Sequence, residues 1–143
     1  MDDSESNKRL VESFVDAVFI NHDLTSLDRY MTDGYIQHNP DVPQGKAGFI
    51  EFFVKTFSAM PDFRYSVKKI VAEGDQVWVY STTSGTHTSG PWLDVPPTGN
   101  KLHFDVVDMF RVENGKVAEH WDVADTLGLF SQLGKVKIPC IVL

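Results

Sequence analysis

Two alternating runs near the end of the chain, Lys101–Val112 and Lys116–Ala124, constrain the fold more than any other feature. Polar and apolar residues alternate through both, the period of a strand whose side chains point to opposite faces. Glu113-Asn114-Gly115 lies between them and reads as a hairpin connection. In the second run, "AEHWDVAD", His120 and Asp122 fall on one face and Trp121 and Val123 on the other.

The turn decides which residues join them. A two-residue turn at Asn114-Gly115 sets Asp108 opposite Trp121, away from His120. A type I turn at Glu113-Asn114, with Gly115 as a left-handed bulge residue, pairs Val112 with Lys116, Phe110 with Ala118 and Asp108 with His120. The second register is preferred, because glycine suits the left-handed position. It gathers Val106, Asp108, Phe110, Ala118, His120 and Asp122 on one face. Val107, Met109, Trp121 and Val123 share the other, with Arg111 in diagonal reach of Glu119.

Upstream, the period changes. Leu10, Val11, Phe14, Val15, Val18 and Phe19 form one helical stripe that ends at "NHD", and "LTSLDRYM" predicts a short second helix. "TDGYIQHNPDVPQG" is broken by glycine and proline, and a third helix runs from Lys46 until Pro61 stops it. "YSVKKIVAEGDQVWVYSTTSGTHT" predicts a hairpin about Gly74-Asp75, and "GPWLDVPPTGN" a loop. Helices followed by antiparallel strands imply an α+β domain, its N-terminal helices packed on a curved antiparallel sheet with a pocket between the layers. A short helix at Leu127–Leu133 precedes the apolar tail "IPCIVL", which has two expected uses, covering the outer sheet face or closing the cavity mouth.

The 143 residues suit one domain, 1–143, and 42% hydrophobic content supplies a core. A net charge of −7 argues against nucleic acid or an anionic membrane as partner, since both select basic surfaces. Cys140 alone excludes an internal disulfide and a thiolate metal cluster. No apolar run approaches the roughly 20 residues that span a bilayer. The acidic start "MDDSESNK" is unlike a signal peptide, so cytoplasmic location is expected.

Five scattered histidines show no HxH or HExxH spacing, so no metal site is expected. Alternating polar residues on a strand ordinarily mark a solvated face, but Phe110 among them points to a pocket. Tyr35, Trp78, Tyr80, His87, Phe104 and Phe110 are candidates to line it, with ordinary core packing the alternative for each. The outer apolar residues predict a homodimer through the sheet.

"YIQHNP", "GTHTSGPWLDVPPTGNKL" and "DMFRVENGKVAEHWDVAD" together resemble the SnoaL-like polyketide cyclases of the NTF2-like, cone-shaped α+β superfamily, over about Leu10 to Leu133. The resemblance implies a cofactor-free enzyme acting on a small hydrophobic carbonyl compound, by intramolecular aldol closure or isomerisation. It puts the general acid/base on Asp122. His38 and Asn39 match positions that point into the family pocket, and Asp108 stands where some members carry histidine. Apolar walls and the neighbouring Asp108 would raise the Asp122 pKa, with His120 sharing the proton. Two other functions are open: a non-catalytic module binding a ligand or a protein, and a water-activating hydrolase or dehydratase. The hydrolase needs a carboxylate–arginine–carboxylate relay, and Arg111 falls on the wrong face.

Overall fold

The computed structural model describes residues 3–137 and 139. Helix α1 (Asp3–Val15) continues into a single π-helical turn at Asp16–Ile20, and its apolar stripe buries Val11, Phe14, Val15, Val18 and Phe19. A short 3-10 turn, capped by the Asp23 carboxylate on the Thr25 amide, leads into α2 (Leu27–Tyr30). Strand β1 (Met31–Gln37) follows directly, then α3 (Gly45–Ala59). Two hairpins complete the sheet: β2 (Arg64–Glu73) with β3 (Gln76–Thr86), and β4 (Lys101–Glu113) with β5 (Lys116–Ala124). Helix α4 (Thr126–Gln132) closes the described chain, and the Asp125 side chain caps its start.

The strands run in the order β1-β5-β4-β3-β2. The sheet is mixed rather than wholly antiparallel, because β1 pairs in parallel with β5. Glycine and proline around "TDGYIQHNP" hid that strand. It is an edge strand only seven residues long, and its pairing is interrupted between Met31 and Ile36. The helical layer covers one sheet face, where Phe14 packs edge-on against Phe110 at 5.5 Å and Phe49 joins them. Fully buried Leu27, Met31, Met60 and Leu102 extend this core.

The long hairpin differs from its expected register in an instructive way. Its turn has two residues, Asn114 and Gly115, both at positive φ (50° and 73°), as a type I′ turn requires. Glu113 therefore pairs with Lys116 and Val112 with Val117. The bulge lies in β5 instead, where Ala118 is the extra residue before Arg111 pairs with Glu119. Val117 and Ala118 are both buried, which a regular strand facing a single core would not allow. The displaced bulge restores the alternation that a plain two-residue turn would have inverted. Phe110 then faces His120, and Asp108 faces Asp122, one pair along from the expected match. Asp108 thus stays on the inner face although the turn is the short one.

Candidate active site

Between the helices and the sheet lies a cavity of about 360 Å³. Phe49, Phe52 and Phe53 of α3 line it from the helical side, Phe104 and Val106 of β4 from the sheet, and Trp92 and Phe130 complete the aromatic lining. At one end the polar groups converge: Gln37, Asn39, Asp108, His120 and Asp122. No lysine or arginine is among the lining residues.

The bulged hairpin and strand β1 build this end together. Gln37 lies beside His120 through the parallel pairing, and the His38 amide donates to the His120 carbonyl at 3.0 Å. That fixes the chain as it leaves the sheet, so that Asn39 Nδ2 donates to Asp122 Oδ2 at 2.7 Å. On β4, Asp108 Oδ1 lies 2.8 Å from His120 Nε2. Its Oδ2 accepts from the Tyr65 hydroxyl at 2.7 Å. His120 Nδ1 faces Gln37 Oε1 at 2.6 Å, and His120 Nε2 is 3.8 Å from Asp122 Oδ2.

The two aspartates are therefore not equivalent. Both oxygens of Asp108 are engaged and the residue is buried. Asp122 Oδ1 has no hydrogen-bond partner among the described residues, and its carboxylate borders the cavity. Burial pushes the Asp122 carboxyl above the ordinary range; the Asn39 hydrogen bond and His120 partly offset this, and the charges of Asp108 and Asp41 add to it. Burial, reinforced by the Asp108 charge, also holds the Tyr65 phenol well above its usual pKa, so it remains a donor. The Tyr35 phenol is raised as well, by burial first and then by Asp108 and Asp122.

Several expected lining residues lie elsewhere. Trp78 and Tyr80 are on the outer sheet face, 46% and 41% exposed, because alternation along β3 sends the buried Val77 and Val79 inward instead. His38 also turns outward. It stacks on Trp121 at 4.7 Å and binds Glu119 at 2.6 Å, while Arg111 Nε donates to Glu119 from the other side at 2.8 Å. His87 is fully buried away from the cavity, with Nε2 against the Gly90 carbonyl at 2.7 Å, and pins the loop after β3. Phe110 and Tyr35 are core residues behind the site: Phe110 backs the His120 ring at 5.0 Å, and the Tyr35 hydroxyl accepts from Gln37 Nε2 at 2.9 Å. Asn39 and Phe104 do line the cavity.

Gln37 and Tyr65 escaped the sequence pattern. Both sit on stretches whose local pattern shows no paired chemistry, and only the sheet order brings them to His120 and Asp108. The tail "IPCIVL" lies largely outside the described residues, and with it both of its expected uses.

Asp108, His120 and Asp122 could each offer one atom to a metal ion, these atoms lying within 4.8 Å of one another. A proton shared among these groups is a second use of the same geometry.

Comparison with known proteins agrees with this architecture. Aklanonic acid methyl ester cyclase DauD of Streptomyces sp. (strain C5) is 27% identical over 113 residues, 76% of this chain and 67% of that protein. TsrD of Streptomyces laurentii superposes with a TM-score of 0.81 at 32% identity, covering 92% of this chain and 97% of its own. AclR of Streptomyces galilaeus gives 0.80 at 30% identity, covering 94% and 99%. The SnoaL-like polyketide cyclase model matches residues 9–133, and the chain belongs to that family.

Proposed function

We propose that the protein is a cofactor-free cyclase that closes a ring in a small, flat, hydrophobic carbonyl compound by intramolecular aldol addition, with Asp122 as general base. One observation carries this reading: the open Oδ1 of Asp122 at the polar end of an aromatic-walled cavity. A carboxylate that is partly desolvated and raised in pKa, with one oxygen free of protein partners at a cavity, is suited to take a proton from a bound molecule.

The geometry supports the division of labour that aldol closure needs. Asp122 removes a proton from a carbon beside a carbonyl, and its raised pKa makes it a stronger base than a free carboxylate. Asn39 holds the other carboxylate oxygen in place. The aromatic walls hold the ring system flat and displace water as it binds, which strengthens the polar interactions at the carboxylate end. The reaction is formally an isomerisation, and every atom of the substrate stays in the product.

Water-activating hydrolysis through a carboxylate–arginine–carboxylate relay has less support. No arginine borders the cavity, and Arg111 is bound to Glu119 on the outer face. A purely binding role leaves the open Asp122 oxygen without a purpose.

The outer face supports a homodimer through the sheet. Val71, Trp78, Tyr80 and Val123 are 41–66% exposed, and the register sets Trp78, Met109 and Trp121 side by side across three strands. A chain with one cysteine has no internal disulfide to protect, which suits the cytoplasm. The functional reading is tested by incubating the protein with aklanonic acid methyl ester and related anthraquinones. Ring closure by the wild type and its loss in Asp122→Asn supports it; equal turnover by the variant refutes it.

A further inference from the structure

We propose that Gln37 is a positioning residue that fixes a proton on Nδ1 of His120, and that the one proton then left between His120 Nε2 and Asp108 Oδ1 is the acid that finishes the reaction Asp122 begins. The second half rests on the cyclase reading; the first does not.

One side-chain amide has an orientation that its neighbours dictate. Gln37 is 3% exposed, and its Oε1 receives the backbone amides of His38 at 3.1 Å and Asn39 at 3.0 Å. A backbone N–H donates and never accepts, so the atom facing these two groups must be the oxygen. On the other side of the amide, Nε2 donates to the Tyr35 hydroxyl at 2.9 Å. The flip is thereby settled by chemistry.

His120 Nδ1 lies 2.6 Å from the same oxygen, which has nothing to donate, so Nδ1 must carry a hydrogen. A neutral imidazole then has a bare Nε2. That nitrogen faces Asp108 Oδ1 at 2.8 Å, and two bare acceptors at this distance would repel. One proton therefore lies between them, drawn as imidazolium with carboxylate or as imidazole with carboxylic acid. Tyr65 adds a donor to the far oxygen of Asp108. The titratable groups around the pair are Tyr35 from β1, Tyr65 from β2 and Asp122 from β5. None is a fixed cation that would drive the proton away.

The proton balance of an aldol closure fits this arrangement. A C–H bond breaks and its proton goes to Asp122. The enolate carbon then forms a C–C bond to the second carbonyl, whose π electrons move onto oxygen. That alkoxide takes the proton held by His120 and Asp108. Asp122 now carries one proton too many and the pair one too few. Once product leaves, the proton returns to the pair as rotation of the Asp122 carboxyl closes the 3.8 Å between Asp122 Oδ2 and His120 Nε2. The cycle needs no oxidant, water or other co-reactant.

Two-dimensional ¹⁵N–¹H NMR of the imidazoles, on the full-length ¹⁵N-labelled protein without substrate, tests the lock. The wild type is expected to hold Nδ1–H on His120 throughout about pH 6 to 8, the range in which a free histidine titrates. A neutral His120 with Nδ1 bare and Nε2 protonated overturns it. Gln37→Leu removes the acceptor and is expected to lose this fixed tautomer; an unchanged pattern overturns the lock equally. Should Gln37→Leu fail to fold, Gln37→Glu decides, since its carboxylate keeps the acceptor and must keep Nδ1–H.

In kinetics, Gln37→Leu should lower kcat roughly tenfold or more with little change in KM, and Gln37→Glu should restore most of it. Equal losses in both variants overturn the positioning role. The NMR pattern is read on the free protein, so a wrong tautomer refutes the lock whatever the substrate. The expected tautomer in a chain that cyclises nothing refutes the functional reading and leaves the lock standing.

Discussion

Two carboxylate–histidine clusters flank the β4–β5 hairpin, one on each face, and they differ in their donors and in their charge. On the outer face, Glu119 is held between His38 and Arg111, and His38 lies flat on Trp121. The His38 hydrogen bond, then that of Arg111, holds the Glu119 carboxyl below its ordinary pKa. Donors surround every charge there, as in a structural clamp. On the inner face, Asp122 has one donor, one open oxygen and a raised pKa, with no lysine or arginine among the lining residues. The same residue types thus do opposite jobs a few ångströms apart. The Glu119 and Asp122 side chains are equally exposed, 16% each, so the difference lies in the number of donors and in whether a fixed cation is present.

Substitutions can break this contrast, beginning with the strongest. Asp122→Asn keeps the shape and the Asn39 hydrogen bond but removes the base, so turnover should fall roughly 10²- to 10⁴-fold. Steady-state rates on a cyclising substrate measure this, and a loss under tenfold would break the assignment of Asp122. Asp108→Asn removes the partner that shares the His120 proton and should lower kcat roughly 10- to 100-fold, with the fold unchanged by circular dichroism.

A third prediction concerns pH. The rate should rise with pH as Asp122 ionises, along a limb set by its raised pKa. The Asn39 hydrogen bond lowers that pKa, so Asn39→Ala should move the limb to higher pH. Profiles of kcat/KM for the two proteins would show it, and a shift to lower pH would mean that Asn39 does not stabilise the ionised carboxylate.

The same raised pKa has a cost in stability. The folded chain binds the Asp122 proton more tightly than the unfolded chain does, so this group makes stability fall as pH rises from the unfolded towards the folded pKa. Asp122→Asn should therefore melt higher than wild type at neutral pH, with the gain vanishing in acid below the unfolded pKa. Thermal melts at the two pH values decide it. On the outer face the sign reverses. Glu119→Gln should cost about 1 kcal/mol, leave turnover within about twofold, and lose its effect at low pH, where Glu119 is protonated in both states. A large loss of turnover from this change would show that the outer clamp sets the position of Gln37 and Asn39.

Much of this site was legible before any fold was known. Alternation put His120 and Asp122 on one face and Trp121 and Val123 on the other, because the period of a strand depends only on the backbone. Helical spacing located α1 and α3 for the same reason. The turn at Asn114-Gly115 was harder. Both local solutions suit an Asn-Gly pair, and only the burial of Val117 and Ala118 against the helices favours a bulge at Ala118. Trp78 and Tyr80, candidates for the pocket lining, face outward, and their alternation with the buried Val77 and Val79 is the local pattern that says so.

What local sequence determined in this protein is periodic: where helices and strands run, and which residues share a face. What tertiary structure alone decided is adjacency between distant segments. Gln37 meets His120 because β1 pairs in parallel with β5 across 83 residues of chain, and Tyr65 meets Asp108 across 43. No local pattern encodes such contacts, since they follow from strand order, and strand order follows from burying both hairpins and the four helices at once. The open oxygen of Asp122 belongs to that second kind of information. A sequence shows that an aspartate is present; only the packed fold shows which of its oxygens has no partner among the described residues.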